Sequence, residues 1–239
     1  MQHFEYSNLS PAHLLACDHA LLDEREACGG DDVLMFWESS SPFVVLGYTD
    51  RVASEANVEE CRKENIPILR RCSGGGTVVQ GRGCLNYSLV LRIPDEGALS
   101  NLSQTNQFVM NRTRQALQTL TSQTIEVRGI TDLAIGGSKF SGNAQRRRRN
   151  FLLFHGTFLY DFDLGLVDRV LEMPTRQPNY RNERKHRDFV TNLRLSPYAI
   201  KEALRGAWNA NRVLDALPQE RIEALVRDIY SQDSWNFKL

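Results

Sequence analysis

The sequence predicts an α+β fold, a mixed and largely antiparallel β-sheet flanked by helices. Three observations carry that reading. Extended runs come in hairpin-like groups and do not alternate strictly with helices, which disfavours a doubly wound parallel sheet. Residues 84–93 alternate cleanly, with Leu85, Tyr87, Leu89, Leu91 and Ile93 on one face and Cys84, Asn86, Ser88, Val90 and Arg92 on the other. Helical periodicity brackets the extended runs, through Leu14, Leu15, Leu21 and Leu22 near one end and Ile222, Leu225, Val226 and Ile229 near the other.

In chain order, Ser10-Pro11 supplies an N-cap and a first-turn proline, so a helix is expected over 11–27, and Gly29-Gly30 ends it. Residues 33–37 and 43–46 are apolar runs separated by a Ser/Pro turn and read as a β-hairpin. Asn57 with Glu60 three residues on opens a short helix through about Asn65, and Ile66-Pro67-Ile68-Leu69 returns to extended chain. The alternating run 84–93 reads as a half-buried strand with a polar face. A helix over 104–120 follows, its stripe made of Phe108, Val109, Ala116, Leu117 and Leu120. Further extended segments are expected at 125–127, 133–135 and 151–160, and helices at 164–173, 198–208 and 218–230. Residues 174–188, rich in Arg, Asn and Pro, read as a long mobile or functional loop. No internal repeat or low-complexity linker divides the chain, so one domain is expected.

The 239 residues suffice for a core of ordinary size. Lys+Arg and Asp+Glu both total 29, and this balance argues against a surface that neutralises nucleic-acid phosphates. No apolar run reaches the roughly 20 residues of a membrane span, and the first residues lack signal-peptide character, so a cytoplasmic location is expected. The five cysteines are odd in number and form no C-x-x-C pair. They read as free thiols, with neither a disulfide scaffold nor a zinc site.

Chemistry concentrates in three segments. Arg70-Arg71-Cys72-Ser73-Gly74-Gly75-Gly76-Thr77 joins a strand end to a glycine run whose N–H groups can form an anion nest, with Arg70 or Arg71 adding charge. The simpler alternative is a flexible turn. No P-loop or G-x-G-x-x-G pattern accompanies it. In Asp132-Leu133-Ala134-Ile135-Gly136-Gly137-Ser138-Lys139-Phe140-Ser141-Gly142-Asn143-Ala144, a lysine between small residues can reach an acyl or phosphoryl oxygen, and Asp132 can serve magnesium. The alternative there is a Gly-Gly hairpin turn with a solvated lysine. His155, in Phe154-His155-Gly156-Thr157, reads as a hydrogen-bonded core residue with no evident catalytic partner, and Arg146 to Arg149 as a solvated tip.

Together these segments, with Gly83-Cys84-Leu85-Asn86-Tyr87-Ser88 between them, resemble the lipoate–protein ligase A family. The resemblance runs from the first helix, with Asp18, to Val190-Thr191-Asn192-Leu193. It implies a single biotin/lipoate ligase-like domain, without the accessory C-terminal domain of long ligases. It further implies activation of lipoate by ATP and magnesium to lipoyl-AMP, then transfer to a lysine of a lipoyl carrier domain, of the 2-oxoacid dehydrogenase E2 or glycine-cleavage H-protein type. A separate accessory subunit is an expected partner. By the resemblance, Lys139 is catalytic; Arg70, Ser73, Gly74, Gly75, Gly76 and Asn86 line the acyl-adenylate pocket; Asp132 supports nucleotide or magnesium; and Ser141, Gly142 and Ala144, with His155 and Thr157 nearby, complete the wall. Two departures stand out: Gly47-Tyr48-Thr49-Asp50 lacks the Gly-Arg-x-Gln-Asn pattern common in ligases, and Cys84 replaces an asparagine.

Two other readings stay open at this point. An octanoyltransferase or lipoyl amidotransferase on the same fold uses a cysteine thioester and no ATP; residues 94–138 contain no cysteine, which leaves Cys84 or Cys72 as its nucleophile. A non-catalytic module that binds lipoate or its carrier is the third reading.

Overall fold

A computed structural model describes residues 1–7 and 9–239. In chain order the elements are β1 (Gln2–Tyr6), α1 (Pro11–Cys28), β2 (Val33–Trp37), β3 (Phe43–Leu46), α2 (Val52–Glu55), α3 (Val58–Lys63), β4 (Ile68–Arg70), β5 (Val78–Gln80) and β6 (Cys84–Arg92). There follow α4 (Leu102–Gln118), β7 (Ile125–Arg128), β8 (Asp132–Ile135), β9 (Ser138–Arg147), β10 (Phe151–Leu159), α5 (Leu164–Val170), α6 (His186–Phe189), α7 (Pro197–Ala207), β11 (Arg212–Val213), α8 (Gln219–Leu225) and α9 (Asp233–Asn236).

Local chemistry sets the helix starts. The Ser10 hydroxyl accepts from the His13 N–H ahead of Pro11, and Gly29 closes α1 with φ +73°. Asn57 and Asn101 cap α3 and α4 by accepting from Glu60 N and Gln104 N at 3.1 and 2.9 Å.

Eight strands form the large sheet in the order β11-β1-β2-β6-β10-β9-β8-β7, and β4-β3-β5 form a small one. Among the described residues, only β1 pairs in parallel within the large sheet, with β2 and β11. The sheet is therefore mixed and largely antiparallel. Its faces carry separate cores. Val33, Met35, Trp37, Val90, Phe151 and Leu153 pack with α1 and α8, while Leu34, Phe36, Leu85, Leu89, Leu152 and Phe154 pack with α4 and α7.

The structure corrects three expectations. Residues 33–37 and 43–46 do not form a hairpin: β2 lies between β1 and β6, and β3 belongs to the small sheet. Both runs are buried at every position, so each is interior to its sheet and the Ser/Pro segment crosses between sheets. The 84–92 strand is not half-buried, since its polar face is covered and only Arg92 is exposed. Arg146 and Arg147 are not solvated: both lie in β9 and donate to the carbonyls of Cys72 and of Leu99 and Ser100, respectively.

Candidate active site

The lysine is aimed by a defect in the sheet. Gly136 and Gly137, with φ +56° and +77°, make the tight turn between β8 and β9 that glycine alone adopts without strain. Just beyond, Leu133 pairs with Ser141 but Ala134 with Lys139, so β9 holds one extra residue there. The bulge places both Phe140 and Ser141 on the α4 side, where Phe140 joins the core, and swings Lys139 onto the face of Gly142. Lys139 Nζ stands 2.7 Å from Asp132 Oδ1, and the Tyr180 hydroxyl donates to Asp132 Oδ2 at 2.8 Å. Burial, then the Asp132 charge, pushes the Tyr180 phenol far above its ordinary range, which keeps it a donor. Residues 174–188 thus pack on the site, and Thr191 N–H donates to the Lys139 carbonyl.

The glycine loop between β4 and β5 folds over the α1-facing side of the large sheet. Arg71 directs it from below, donating to the Gly74 carbonyl at 2.7 Å and the Gly76 carbonyl at 2.8 Å. Because C=O and N–H are antiparallel in a trans peptide, the N–H groups of Gly75 and Thr77 turn the other way. Among the described residues, no backbone acceptor engages Gly74, Gly75 or Gly76 N–H. A side chain at Gly74 or Gly76 would meet no atom within 4 Å, so both border open space. The loop therefore has the form of an anion nest. Its arginines correct the sequence reading: neither faces a ligand. Arg70 is fully buried and donates to the carbonyls of Gly47, Tyr48, Asp50, Trp235 and Asn236. Burial pulls the Arg71 guanidinium down to about 10, which leaves it charged at neutral pH.

His155 has partners after all. Its Nδ1 lies 2.8 Å from the Asp18 carboxylate and its Nε2 2.6 Å from Ser73 Oγ. The Ser88 hydroxyl donates to the second Asp18 oxygen at 2.7 Å, and Arg71 Nε donates to Ser73 Oγ at 3.2 Å. This chain ties the glycine loop to β10, α1 and β6.

Asn86 and Thr157 close a ring with Gln80. Thr157 Oγ1 donates to Asn86, Asn86 to Gln80 and Gln80 to Thr157, at 2.5, 2.8 and 2.8 Å. These side chains pin β5 of the small sheet to the large one, with their polar groups spent on each other. Gly142 pairs with Thr157, and Ala144 with His155, so both share the lysine's face. Ser141 pairs with Phe158, faces the α4 side and accepts from Asn143, so it lies outside the pocket wall.

Asp132, the carboxylate expected to serve magnesium, has both oxygens engaged, by Lys139 and Tyr180, and no group of three His, Cys, Asp or Glu side chains converges among the described residues. The alternative nucleophiles fare no better: Cys72 and Cys84 are buried, and burial pushes both thiols up, Cys84 far above its ordinary value. Two surface grooves, of about 840 Å³ along α4 and about 510 Å³ between α1, α3 and the C-terminal segment, contain none of the Lys139 or His155 cluster. No helix among the described residues is long and apolar enough to cross a membrane.

Sequence reasoning missed Tyr180 and Gln80, which lie in a loop and a three-residue strand without periodicity. It named Asp18 only by resemblance.

An eight-stranded mixed sheet flanked by helices is the α+β fold of lipoate–protein ligase structures. A family model for the lipoyl protein ligase A/B catalytic domain matches residues 10–205, and the chain belongs to that family. It is 28% identical over 207 residues to lipoate–protein ligase 1 of Staphylococcus aureus, covering 82% of this chain and 61% of that protein. It is 27% identical to lipoate-protein ligase A subunit 1 of Thermoplasma acidophilum, covering 94% and 91% of the two chains. The octanoyltransferase LipM of Geobacillus kaustophilus is 26% identical, with 95% and 94% covered. Among solved structures, the bipartite lipoate protein ligase of Thermoplasma acidophilum, studied with its E2 lipoyl domain, superposes with a TM-score of 0.84 at 21% identity. That match covers 99% of this chain and 95% of the other. An ATP-bound lipoate-protein ligase A gives a TM-score of 0.78 at 23% identity, covering 99% and 97%.

Proposed function

We propose that this protein is a lipoate–protein ligase, joining lipoate and ATP as lipoyl-AMP and passing the acyl group to a lysine of a lipoyl carrier domain. The observation that carries the reading is the bulge that turns Lys139 onto the Gly142 face beside a glycine nest. A carboxylate and a triphosphate repel one another, and bringing them together needs fixed positive charge and N–H donors. Lys139 supplies the charge, and Asp132 holds its ammonium in place until an anion competes for it. Gly74 to Gly76 offer N–H groups to phosphate or carboxylate oxygens. His155 and Ser73 mark the inner end of the same face, next to the apolar surface of Trp37, Leu153 and Cys72.

The runner-up, an octanoyltransferase, is favoured by the LipM relatives and opposed by the two buried thiols. Carriers of the E2 or H-protein type and a separate accessory subunit are the proposed partners; the Thermoplasma relatives, a bipartite ligase and a ligase subunit, support the second. Mass spectrometry of a purified lipoyl domain, incubated with the protein and lipoate with and without ATP and magnesium, tests the assignment. An ATP-dependent gain of one lipoyl group is expected. ATP-independent gain of octanoyl from an octanoyl-carrier donor moves the protein to the transferases.

A further inference from the structure

The Asp132 carboxylate is shared between an ammonium and a phenol, and the proposed reaction calls on the ammonium alone. We propose that Tyr180 is a positioning residue for Lys139: by occupying one oxygen of Asp132, its hydroxyl limits how firmly the carboxylate holds the lysine, and so sets how readily an acyl-adenylate draws Lys139 away. The consequence for turnover rests on the ligase reading, whereas the hold on the lysine does not.

The two oxygens have separate partners. Lys139 Nζ stands 2.7 Å from Oδ1 and the Tyr180 hydroxyl donates to Oδ2 at 2.8 Å, and among the described residues no third donor reaches this carboxylate. The Asp132 side chain is 13% exposed, so little water replaces a missing donor. An ammonium is a compact charge with three N–H donors. Deprived of the phenol, Oδ2 therefore turns to the same ammonium. A carboxylate that grips Lys139 through both oxygens competes harder with an incoming anion.

Packing sets the place of the hydroxyl. The Tyr180 ring lies 5.1 Å from that of Phe189, which is 2% exposed. One guanidinium nitrogen of Arg184 donates to the carbonyls of both Tyr180 and Gly137 at 2.9 Å, which ties the tyrosine backbone to the β8–β9 turn. A methyl group on Gly129 would stand 3.3 Å from Pro178, 3.6 Å from the Tyr180 ring and 3.8 Å from Asp132 Oδ2, so ring and carboxylate lie side by side against the β7–β8 turn. Further along, Thr191 N–H donates to the Lys139 carbonyl at 2.8 Å. Residues 178–191 thus fix the lysine at two points, its backbone through Thr191 and its ammonium through Tyr180 and Asp132. Phenylalanine at position 180 keeps the ring contacts and removes only the hydroxyl.

The hold is read directly, without turnover, by acetylating the protein with sulfosuccinimidyl acetate at pH 8 and following Lys139 in a peptide map, with the 75% exposed Lys63 as internal reference. Only a neutral amine reacts, so a firmer ion pair slows the labelling. Tyr180→Phe should slow Lys139 about fivefold relative to Lys63. Asp132→Asn should speed it, and in that background Tyr180→Phe should add nothing, because the carboxylate through which it acts is gone. Transfer from synthetic lipoyl-AMP to a purified lipoyl domain supplies the second readout. There Tyr180→Phe should raise KM for lipoyl-AMP about fivefold with kcat within about twofold, a split that general damage to the fold does not produce. Labelling of Lys139 that is unchanged or faster in Tyr180→Phe, an effect that persists beside Asp132→Asn, or a fall in kcat at constant KM overturns the proposal. A wild-type chain that transfers nothing from lipoyl-AMP while the labelling pattern holds removes the ligase reading and supports the hold of Tyr180 on the Asp132–Lys139 pair.

Discussion

A methyl group on Gly142 would stand 2.7 Å from Lys139 Nζ and 2.8 Å from its Cε, so glycine and lysine share one volume. The lysine's position depends on two features of β9 at once: the bulge that turns it and the missing side chain that admits it. Gly142→Ala tests the second feature alone. The obstructed atoms are the far end of a flexible side chain, so the ammonium gives way and the backbone does not. Acyl transfer is expected to fall about tenfold or more, with the melting temperature within about 2 °C of wild type.

Gly156→Ala is the counterpart with the opposite outcome. Its new carbon would meet Asn143 Oδ1 at 1.8 Å and the Gly142 carbonyl at 2.9 Å. Asn143 cannot yield cheaply, since it accepts from Tyr87 and donates to the Thr131 carbonyl and Ser141. A loss of about 2–4 kcal/mol in urea unfolding is expected.

Lys139→Met removes the charge and keeps most of the volume. Lipoylation of a carrier domain should drop on the order of 10²-fold or more. Asp132 loses its cation but keeps the Tyr180 hydroxyl and some solvent contact, so the stability cost should stay near about 1 kcal/mol. Thermal unfolding beside the mass-spectrometric assay distinguishes a missing catalytic charge from a damaged fold.

The thiols yield a chemical test. Cys84 and Cys72 are held neutral by burial, the Cys17 thiol is pushed up to about 12, and Cys61 is raised as well. Cys28 alone is exposed. Iodoacetamide at pH 8 should therefore modify Cys28 far ahead of the others in a peptide map, and ligation should survive within about twofold. Rapid labelling of Cys84 with loss of activity would revive a cysteine mechanism.

Much of the fold was legible because its signals are local. Caps at Ser10 and Asn57 and the alternation of β6 need no knowledge of neighbours. Strand β9 was hidden because Ser138 to Arg147 carries lysine, glycine, asparagine, glutamine and arginines where an apolar alternation would announce a strand. That composition is the consequence of forming the site: Gly142 and Ala144 are small so that the face stays open. The β2–β3 misreading has another cause, since two fully buried runs reveal nothing about which sheet each joins. In the site, the glycine loop was visible in composition, whereas the His155 to Asp18 contact spans 137 residues and no local pattern encodes it. Arg70 was misassigned because its five carbonyl acceptors come from the Gly47–Asp50 loop and the C-terminal segment.

His19 supplies a pH dependence that is separate from catalysis. Burial, opposed in part by the Asp23 charge, holds its imidazole down to about 4 from an ordinary 6.5. The ring is neutral in the fold, within reach of the Tyr230 hydroxyl at 3.2 Å and Asp23 at 3.7 Å. The sign follows from where protons bind. Between pH 6.5 and 4 the unfolded chain protonates this histidine and the folded chain does not, so stability falls as pH drops through that window and is flat above it. The full effect is about 3 kcal/mol, and about 2 kcal/mol of it is lost by pH 5. Asp23 is held below its ordinary value with help from Arg221 and Arg148, and its own loss falls at the acid end of this window or beyond it. His3 and His186 are also lowered by burial and remain in any variant at position 19. His19→Gln should therefore lose roughly 2 kcal/mol less than wild type between pH 7.5 and pH 5 in urea unfolding. Equal losses in both proteins would mean that His19 is protonated in the folded state.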